Sequence, residues 1–291
     1  MDVASAADVR SVLADPAFLV PPAPAADAPV GIAWLRATVG RFCNGETHDR
    51  RRALATADLE RLDVAGLRQG AFERATALLA LNGRKPFDLM ARVARPATVD
   101  VLAGALGITG VDAADVALVG RAYPAGGKRD KKTERAVARL VAACGGAPDE
   151  AAAARIGLLV QACDATAGMA GNALIALFTG ARGGTAEELV AASLRDDPPV
   201  RSTRRVALTP ARIGEDEIAA GTTVVLDLTA ARDEQLPFGA GPRSCPGREQ
   251  ALALAAGIVE ACSGCSLAES EIDYLPVAAN LGAPASLMIL R

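Results

Sequence analysis

The sequence of 291 residues has 31 basic and 34 acidic side chains, a net charge of −3, a single histidine and 51% hydrophobic residues. This apolar content is enough to build a buried core, and it excludes a disordered, fibrous or collagen-like chain. The near-neutral charge and 3% aromatic content argue against a nucleic-acid partner, which needs a basic face and base-stacking side chains. One histidine, His48, cannot form a multi-histidine zinc or di-iron site.

Neither the N-terminus nor the apolar segments indicate export or a membrane partner. The start, Met1-Asp2-Val3-Ala4-Ser5, lacks a basic segment followed by an apolar run. The apolar run 251–259 is too short to span a bilayer. Six cysteines in a chain of this length are too few for a disulfide framework. We therefore expect a cytoplasmic protein.

In chain order, the first two thirds of the sequence read as helical. Ser5 is the expected N-cap of a first helix. Hydrophobic periodicity predicts helices over residues 5–15, 48–59, 62–81, 87–106 and 131–143. A long apolar segment without breakers, 149–178, predicts a central buried helix.

The character of the sequence changes after Asp197-Pro198-Pro199. Segments rich in β-branched residues predict strands at 204–208 and 222–228, and short strands are expected within 272–290. A Gly/Pro loop at 239–247 leads into a helix at 246–262. The expectation is one mainly α domain over 1–291, helical over 1–196, with the β region, the cysteine loop and the C-terminal helix in 197–291.

The most informative segment is Phe238-Gly239-Ala240-Gly241-Pro242-Arg243-Ser244-Cys245-Pro246-Gly247. It places a cysteine before a helix N-terminus, whose free N–H groups and positive dipole end favour a thiolate. Glycines allow the backbone to approach a flat ligand, and a thiolate is a strong axial ligand for haem iron. A dinucleotide-binding loop is disfavoured, because Ser244 stands where the third glycine should be. The other alternative is a structural turn with an incidental buried cysteine.

The loop resembles the haem-binding loop of the cytochrome P450 superfamily at six fixed positions: Phe238, Gly239, Gly241, Arg243, Cys245 and Gly247. The resemblance implies a P450-like fold that binds haem b (iron protoporphyrin IX), with Cys245 as the iron ligand. It also implies that Arg243 binds a haem propionate, for which an arginine fork is suited.

The resemblance extends to segments along most of the chain. It implies His48 and Arg52 as further propionate partners, and one helix face can present both because they are four residues apart. It also implies Arg205 as the third cationic propionate partner. On the distal helix it implies a wall of Val160, Gln161, Asp164 and Ala165, with Val160, Ala165 and Val200 forming the substrate pocket.

Two departures from the family pattern concern single residues. The alcohol expected after the acid Asp164 is replaced by Ala165, with Thr166 one place late. That alcohol supports proton delivery during oxygen activation, so Asp164, Gln161 and Thr166 are the candidate catalytic groups. An ordinary helix-face carboxylate is the alternative for Asp164. In the K helix, Ala192 stands where the family has a glutamate three residues before Arg195.

The third departure is length. The chain is expected to be shortened at the N-terminus, in the F/G/H region, where 114–149 has room for about one substantial helix, and in the meander before Phe238. A reduced lid predicts an open distal face, because lids exclude water and define substrate shape. An open face is expected to be covered by a second copy or another partner protein, or to take a large or carrier-bound substrate.

The function that the resemblance implies is monooxygenation of a small organic or natural-product substrate, in a specialised biosynthetic route. Electrons would come from a ferredoxin and its reductase, docking near Arg243 and Arg248. One alternative is an enzyme that uses peroxide or performs a redox-neutral reaction at haem, since the distal alcohol is missing. The other is a catalytically silent haem-binding sensor or assembly protein.

Overall fold

The computed structural model describes residues 1–291 except 125, 128, 231, 233, 234, 270 and 276–279. The helices are α1 (Ala6–Ala14), α2 (Ile32–Thr38), α3 (Gly45–Glu60), α4 (Val64–Asn82), α5 (Arg95–Ala105), α6 (Ala113–Ala122), α7 (Lys131–Ala143), α8 (Glu150–Phe178), α9 (Ala186–Asp196) and α10 (Arg248–Cys262). The strands are β1 (Asp2–Val3), β2 (Phe18–Leu19), β3 (Phe87–Asp88), β4 (Ser202–Ala207), β5 (Ala211–Ile213), β6 (Asp216–Ile218), β7 (Thr223–Asp227), β8 (Ser266–Leu267) and β9 (Met288–Leu290).

Helix α8 lies at the centre of the helical part, as the sequence predicts. The side chain of Asp149 caps it by accepting a hydrogen bond from the Ala152 N–H at 2.8 Å. Its side chains are mostly small and apolar on every face, and such a helix is stable only when other elements surround it. Helices α3, α5, α6, α9 and α10 pack against it.

Close backbone packing joins α10 to α4. A Cβ atom at Gly257 of α10 would lie 2.9 Å from both the Ala71 Cβ and the Phe72 backbone nitrogen of α4, and it would also meet the Arg68 carbonyl oxygen. Only a glycine allows this approach. The contact holds the helix that follows the cysteine loop against the rest of the helical core.

The β region forms a separate apolar cluster beside α1. The main sheet has the strand order β1-β7-β4-β2, in which β4 and β7 are antiparallel and Arg205 is opposite Val224. A second sheet has the order β3-β9-β8, and β5 pairs with β6. Val9, Val12 and Leu13 of α1 pack with buried residues of these strands. This arrangement places the β4 residue Arg205 on the inner side of the sheet.

The structure confirms the predicted helices at 5–15, 48–59, 62–81, 131–143, 149–178 and 246–262 and the strands at 204–208 and 222–228, within a few residues. The single helix predicted over 87–106 is wrong at its start. Phe87 and Asp88 pair with β9, and a π-helical turn, Met90–Ala94, precedes α5.

Two other segments differ from the sequence prediction. The segment 114–149 was expected to hold one substantial helix, but α6 and α7 both lie there. Of the strands expected within 272–290 the structure describes β9 and an isolated bridge between Tyr274 and Pro284, whereas 276–279 lie outside the described residues. In the described part of the chain, no helix is both long and apolar enough to cross a bilayer.

Candidate haem-binding site

The cysteine loop is built from two short 3-10 turns, Leu236–Phe238 and Gly241–Arg243, that precede α10. Gly239 and Gly241 have φ angles of 75° and 66°, a left-handed conformation that favours glycine. A Cβ at Gly241 would also lie 3.0 Å from the Ala14 Cα at the end of α1. The Cys245 N–H donates to the Phe238 carbonyl at 2.7 Å and closes the loop. These constraints hold Cys245 just before α10.

The loop forms one wall of a cavity of about 440 Å³, a volume within the range of small-molecule and cofactor sites. Residues of α3, α8 and β4 form the other walls. The cavity brings together twelve of the residues that the sequence singles out: His48, Arg52, Gln161, Ala165, Thr166, Val200, Arg205, Phe238, Gly239, Arg243, Cys245 and Gly247.

Arg205 is the most deeply buried cation of this cavity, with 6% of its surface exposed. Its guanidinium donates to the Thr203 hydroxyl at 3.2 Å and the Arg204 carbonyl at 2.9 Å. Burial, and then repulsion by Arg243 and Arg41, lowers the pKa of Arg205 to about 10. None of the ion pairs that the structure describes includes Arg205, so its charge calls for an anionic ligand.

Arg52 and Arg243 also reach the cavity without a carboxylate partner among the described ion pairs. The Arg52 Nη2 donates to the Ser244 carbonyl at 2.7 Å. The Arg243 Nη2 donates to the Cys43 carbonyl at 2.6 Å and to the Asn44 Oδ1 at 2.9 Å. Burial is the main cause that lowers the pKa of Arg243. The cysteine loop and the start of α3 thus hold two more unpaired cations near Arg205.

His48 lies one turn before Arg52 on the same face of α3, as the spacing predicts. It is buried, and its Nδ1 is 2.9 Å from the Asp49 Oδ1. Burial lowers the pKa of His48, and the charges of Arg243 and Arg52 lower it further. The Asp49 carboxylate has the opposite effect and raises this pKa. An anion bound between these cations would stabilise the protonated imidazole.

The Cys245 thiol differs from the sequence expectation in its acidity. The residue is exposed and lines the cavity. Burial raises the pKa of the Cys245 thiol, although a hydrogen bond from the Gly247 backbone and the charges of Arg52 and Arg41 oppose this effect. The position before a helix is therefore not sufficient to deprotonate the Cys245 thiol. A cation bound at the sulfur would stabilise the thiolate.

The distal wall is one face of α8. Gln161, Ala165 and Thr166 lie on the cavity, consistent with residues one helical turn apart. Val160 and Asp164 are not among the cavity residues. The Asp164 Oδ1 instead accepts a hydrogen bond of 2.6 Å from the Arg95 Nε, in an ion pair with 10% of each side chain exposed. The structure therefore does not bring the predicted acid and the predicted pocket residue Val160 into the site.

Arg95 shares its other donors with the backbone of the C-terminal segment. Its guanidinium donates to the Pro284 carbonyl at 3.3 Å and to the Ala285 carbonyl at 3.2 Å. The Asp164–Arg95 pair thus links the distal helix to α5 and to the segment before β9. This arrangement is typical of a buried structural ion pair.

Helix α9 corresponds to the predicted K helix, in which Ala192 stands in place of the expected glutamate. Ala192 is buried in α9, whereas Arg195 is exposed and lies 4.0 Å from the Asp196 Oδ1. Asp196 pairs with Arg182 at 2.6 Å, and Asp197 pairs with Arg201. Neither acid replaces the missing glutamate next to the cysteine loop.

Three polar residues near the cavity are not predicted from the sequence. Arg41 lies in a 3-10 turn before α3, and its Nη1 donates to the Gln161 Oε1 at 3.4 Å. Tyr123, after α6, has a buried hydroxyl for which the described part of the chain offers no partner. Gln250 donates to the Leu59 carbonyl at 3.1 Å, while its Oε1 has no partner within the described ranges. No motif marks these positions, because only the tertiary fold brings them to the site.

Comparison of the sequence with protein-family models, and with curated proteins, finds no match. Solved structures do match over nearly the whole chain. P450BioI, solved in complex with an acyl carrier protein ligated to hexadec-9Z-enoic acid, has a TM-score of 0.82 at 19% identity, covering 100% of this chain and 91% of that chain.

CalO2 has a TM-score of 0.82 at 20% identity, covering 99% of this chain and 90% of that chain. Cytochrome P450 CYP109Q5 from Chondromyces apiculatus has a TM-score of 0.77 at 20% identity, covering 100% and 89%. These likenesses agree with the mainly α architecture and the small β region described above. The chain therefore has the cytochrome P450 fold.

Proposed function

We propose that this protein is a haem-thiolate enzyme that oxidises a small organic substrate, with Cys245 as the axial ligand of haem b. The observation that carries the proposal is that the Cys245 thiol opens onto the same cavity as Arg52, Arg205 and Arg243. A soft sulfur donor beside three cations that have no carboxylate partner among the described ion pairs suits a porphyrin, which offers an iron ion and two propionates. The residues present thus fit the cofactor.

Each wall of the cavity has a role in this proposal. Arg52, Arg205 and Arg243 would bind the propionates, with His48 as a further donor. Gly239 and Gly247 allow the backbone to approach the porphyrin plane. The Arg248 guanidinium lies 5.6 Å from the centre of the Phe238 ring and holds that ring beside the cysteine loop.

Haem held by a thiolate supplies the oxidising chemistry, which inserts oxygen into an organic molecule. This chain's residues must then exclude water, orient the substrate and move protons. Gln161 and Thr166 are the polar residues of α8 on the cavity, since Ala165 has no proton to give. We assign the holding of a proton-donating water to the Gln161 carboxamide and the Thr166 hydroxyl.

A second function, turnover with peroxide or without external electrons, is favoured by one specific observation. Ala165 occupies the place of the expected alcohol, and Asp164 is engaged with Arg95 away from the cavity. Turnover with hydrogen peroxide alone would support this alternative. Turnover with ferredoxin, its reductase and NAD(P)H would support the monooxygenase. A protein that binds haem but shows neither activity would be a catalytically silent haem-binding protein.

The ligand assignment is tested by the absorption spectrum of the reduced, haem-loaded protein with carbon monoxide. The wild type is expected to give a thiolate-type, red-shifted Soret band, and Cys245→Ser is expected to lose it. Cys265→Ser is the matched control, because Cys265 follows α10 and is not among the cavity residues. An unshifted band in the wild type, or a shifted band that survives in Cys245→Ser, would refute the assignment.

A further inference from the structure

The cavity wall carries six arginines, Arg41, Arg51, Arg52, Arg204, Arg205 and Arg243, and no aspartate or glutamate among the residues described there. Three of them are assigned above to the propionates. Arg51 is paired with Glu150 at 2.9 Å. Arg204 and Arg41 are both exposed, and of these two Arg41 is hydrogen-bonded to the distal helix. Arg41 remains as a cation on the cavity without an assigned anion.

Arg41 faces the distal helix. Its guanidinium carbon lies 5.7 Å from the centre of the Phe42 ring, and its Nη1 donates to the Gln161 Oε1 at 3.4 Å. A hydrogen bond of this length is weak. None of the described ion pairs includes Arg41. Its donors are therefore available to a bound anion.

Tyr123 lies behind the same part of the wall. Only 4% of its surface is exposed, its ring packs 5.1 Å from the Phe42 ring, and its hydroxyl has no hydrogen-bond partner among the residues that the structure describes. Burial raises the pKa of Tyr123, so the hydroxyl stays a neutral donor. A buried donor without an acceptor is unfavourable, which indicates that an acceptor belongs there.

Gly157 connects the Tyr123 hydroxyl to the cavity. A Cβ at this position would lie 3.9 Å from the Tyr123 Oη and 3.7 Å from the Gln161 Nε2, and Gly157 itself lines the cavity. The missing side chain leaves a notch beside the Tyr123 hydroxyl. The Gln161 Nε2 donates to the Gly157 carbonyl at 2.9 Å, and the Oε1 of the same carboxamide accepts from Arg41 at the edge of the notch. Hydrogen-bond donors converge here, and one of them is a cation.

We propose that Arg41 and Tyr123 bind the carboxylate of the substrate, that Gln161 positions Arg41, and that the substrate is an organic acid with an apolar body. This inference rests on the proposed function. The apolar body would lie against cavity residues such as Leu158, Ala162 and Met169. A carboxylate satisfies several donors at once and supplies a negative counter-charge for Arg41, which a hydrocarbon, alcohol or ester cannot do.

The test uses haem-loaded protein and two probes of equal chain length, dodecanoic acid and methyl dodecanoate, with binding followed by the shift of the haem absorption band. The wild type is expected to bind the acid at least about tenfold more tightly than the ester. Arg41→Gln and Tyr123→Phe are each expected to weaken binding of the acid about tenfold and to leave binding of the ester unchanged. Gly157→Ala, which fills the notch, should act in the same direction.

Arg204→Gln is the matched control, since it removes an arginine from the same cavity but not from this corner, and it should keep the preference for the acid. Equal binding of acid and ester by the wild type would overturn the inference. The inference would also be overturned if Arg41→Gln kept the preference for the acid but bound less haem, because Arg41 would then bind the cofactor and not the substrate. A protein that takes up no haem fails the proposed function, whereas one that takes up haem without preferring the acid fails this inference alone.

Discussion

Asp164 shows how one side chain can match a functional pattern and yet have a structural role. Its carboxylate and Arg95 are buried together, and Arg95 also binds the backbone next to β9. Removal of one partner leaves an uncompensated buried charge, which is strongly destabilising. The pair therefore links the distal helix to the backbone next to β9, outside the set of cavity residues.

Asp164→Asn is expected to lower the free energy of unfolding by about 3–5 kcal/mol, because Arg95 would lose its counter-charge. Urea unfolding of the haem-free protein measures this change. Asp115→Asn is the control, since its partner Arg139 has 59% of its side chain exposed, and it should cost about 1 kcal/mol or less. An Asp164→Asn protein of unchanged stability that had lost the pH dependence of turnover would instead make Asp164 a catalytic acid.

The site residues that could be predicted from sequence are those defined by local spacing. The cysteine loop and the His48–Arg52 pair depend on turns and helical periodicity, so the sequence is enough to bring their members together. The rotation of α8 about its axis depends on its neighbours, and this is why Gln161 lies on the cavity while Asp164 does not. Arg41 and Tyr123 come from segments far apart in the chain, and no local signal marks them.

At the level of elements, the position of the cysteine loop depends on how closely α10 packs on α4. Gly257→Ala is expected to destabilise the protein by about 1–3 kcal/mol, because the new methyl group would meet the α4 backbone. Thermal unfolding measures the effect, and a lower haem content at fixed haem concentration should accompany it.

Gly104→Ala in α5 is the matched control for this helix contact. A Cβ at Gly104 meets nothing within 4 Å, so the substitution should stabilise the protein by about 0.4–1 kcal/mol through its helix propensity. If Gly257→Ala were also stabilising, α10 and α4 would not be in the close contact described.

The elements themselves were largely predictable, and the errors have physical causes. The amphipathic pattern of 131–143 predicts α7 to the residue. The helical periodicity of 87–106 predicts a helix that includes Phe87 and Asp88, because so short an apolar pattern does not distinguish a helix from a strand. The pairing of these two residues with Ile289 and Met288, about two hundred residues later, decides in favour of a strand.

At the level of the whole molecule, the buried cations of the cavity lower the free energy of unfolding as long as no anion is bound beside them. The pKa of Arg205 is about 10, below the ordinary value for an arginine, so folding disfavours its charged form at neutral pH. This unfavourable contribution to the stability declines only when the pH rises from about 10 towards the pKa that Arg205 has in the unfolded chain. A bound propionate would remove it at neutral pH, so binding of the proposed haem would stabilise the folded protein.

Arg205→Met is therefore expected to have opposite effects on the haem-free and haem-loaded protein. It should stabilise the haem-free protein by about 1–3 kcal/mol at pH 7, because a buried cation without a carboxylate partner is removed. It should weaken haem binding about tenfold, because a propionate partner is lost. Chemical unfolding and haem titration measure the two effects. Loss of stability together with unchanged haem affinity would show that Arg205 is a structural residue.

The most direct test of the central claim is a crystal structure of the haem-loaded protein. The account predicts that the Cys245 Sγ is bonded to the iron, with the propionates against Arg52, Arg205 and Arg243. An iron ligated by another side chain, or a porphyrin outside the cavity that Cys245 shares with these arginines, would contradict it.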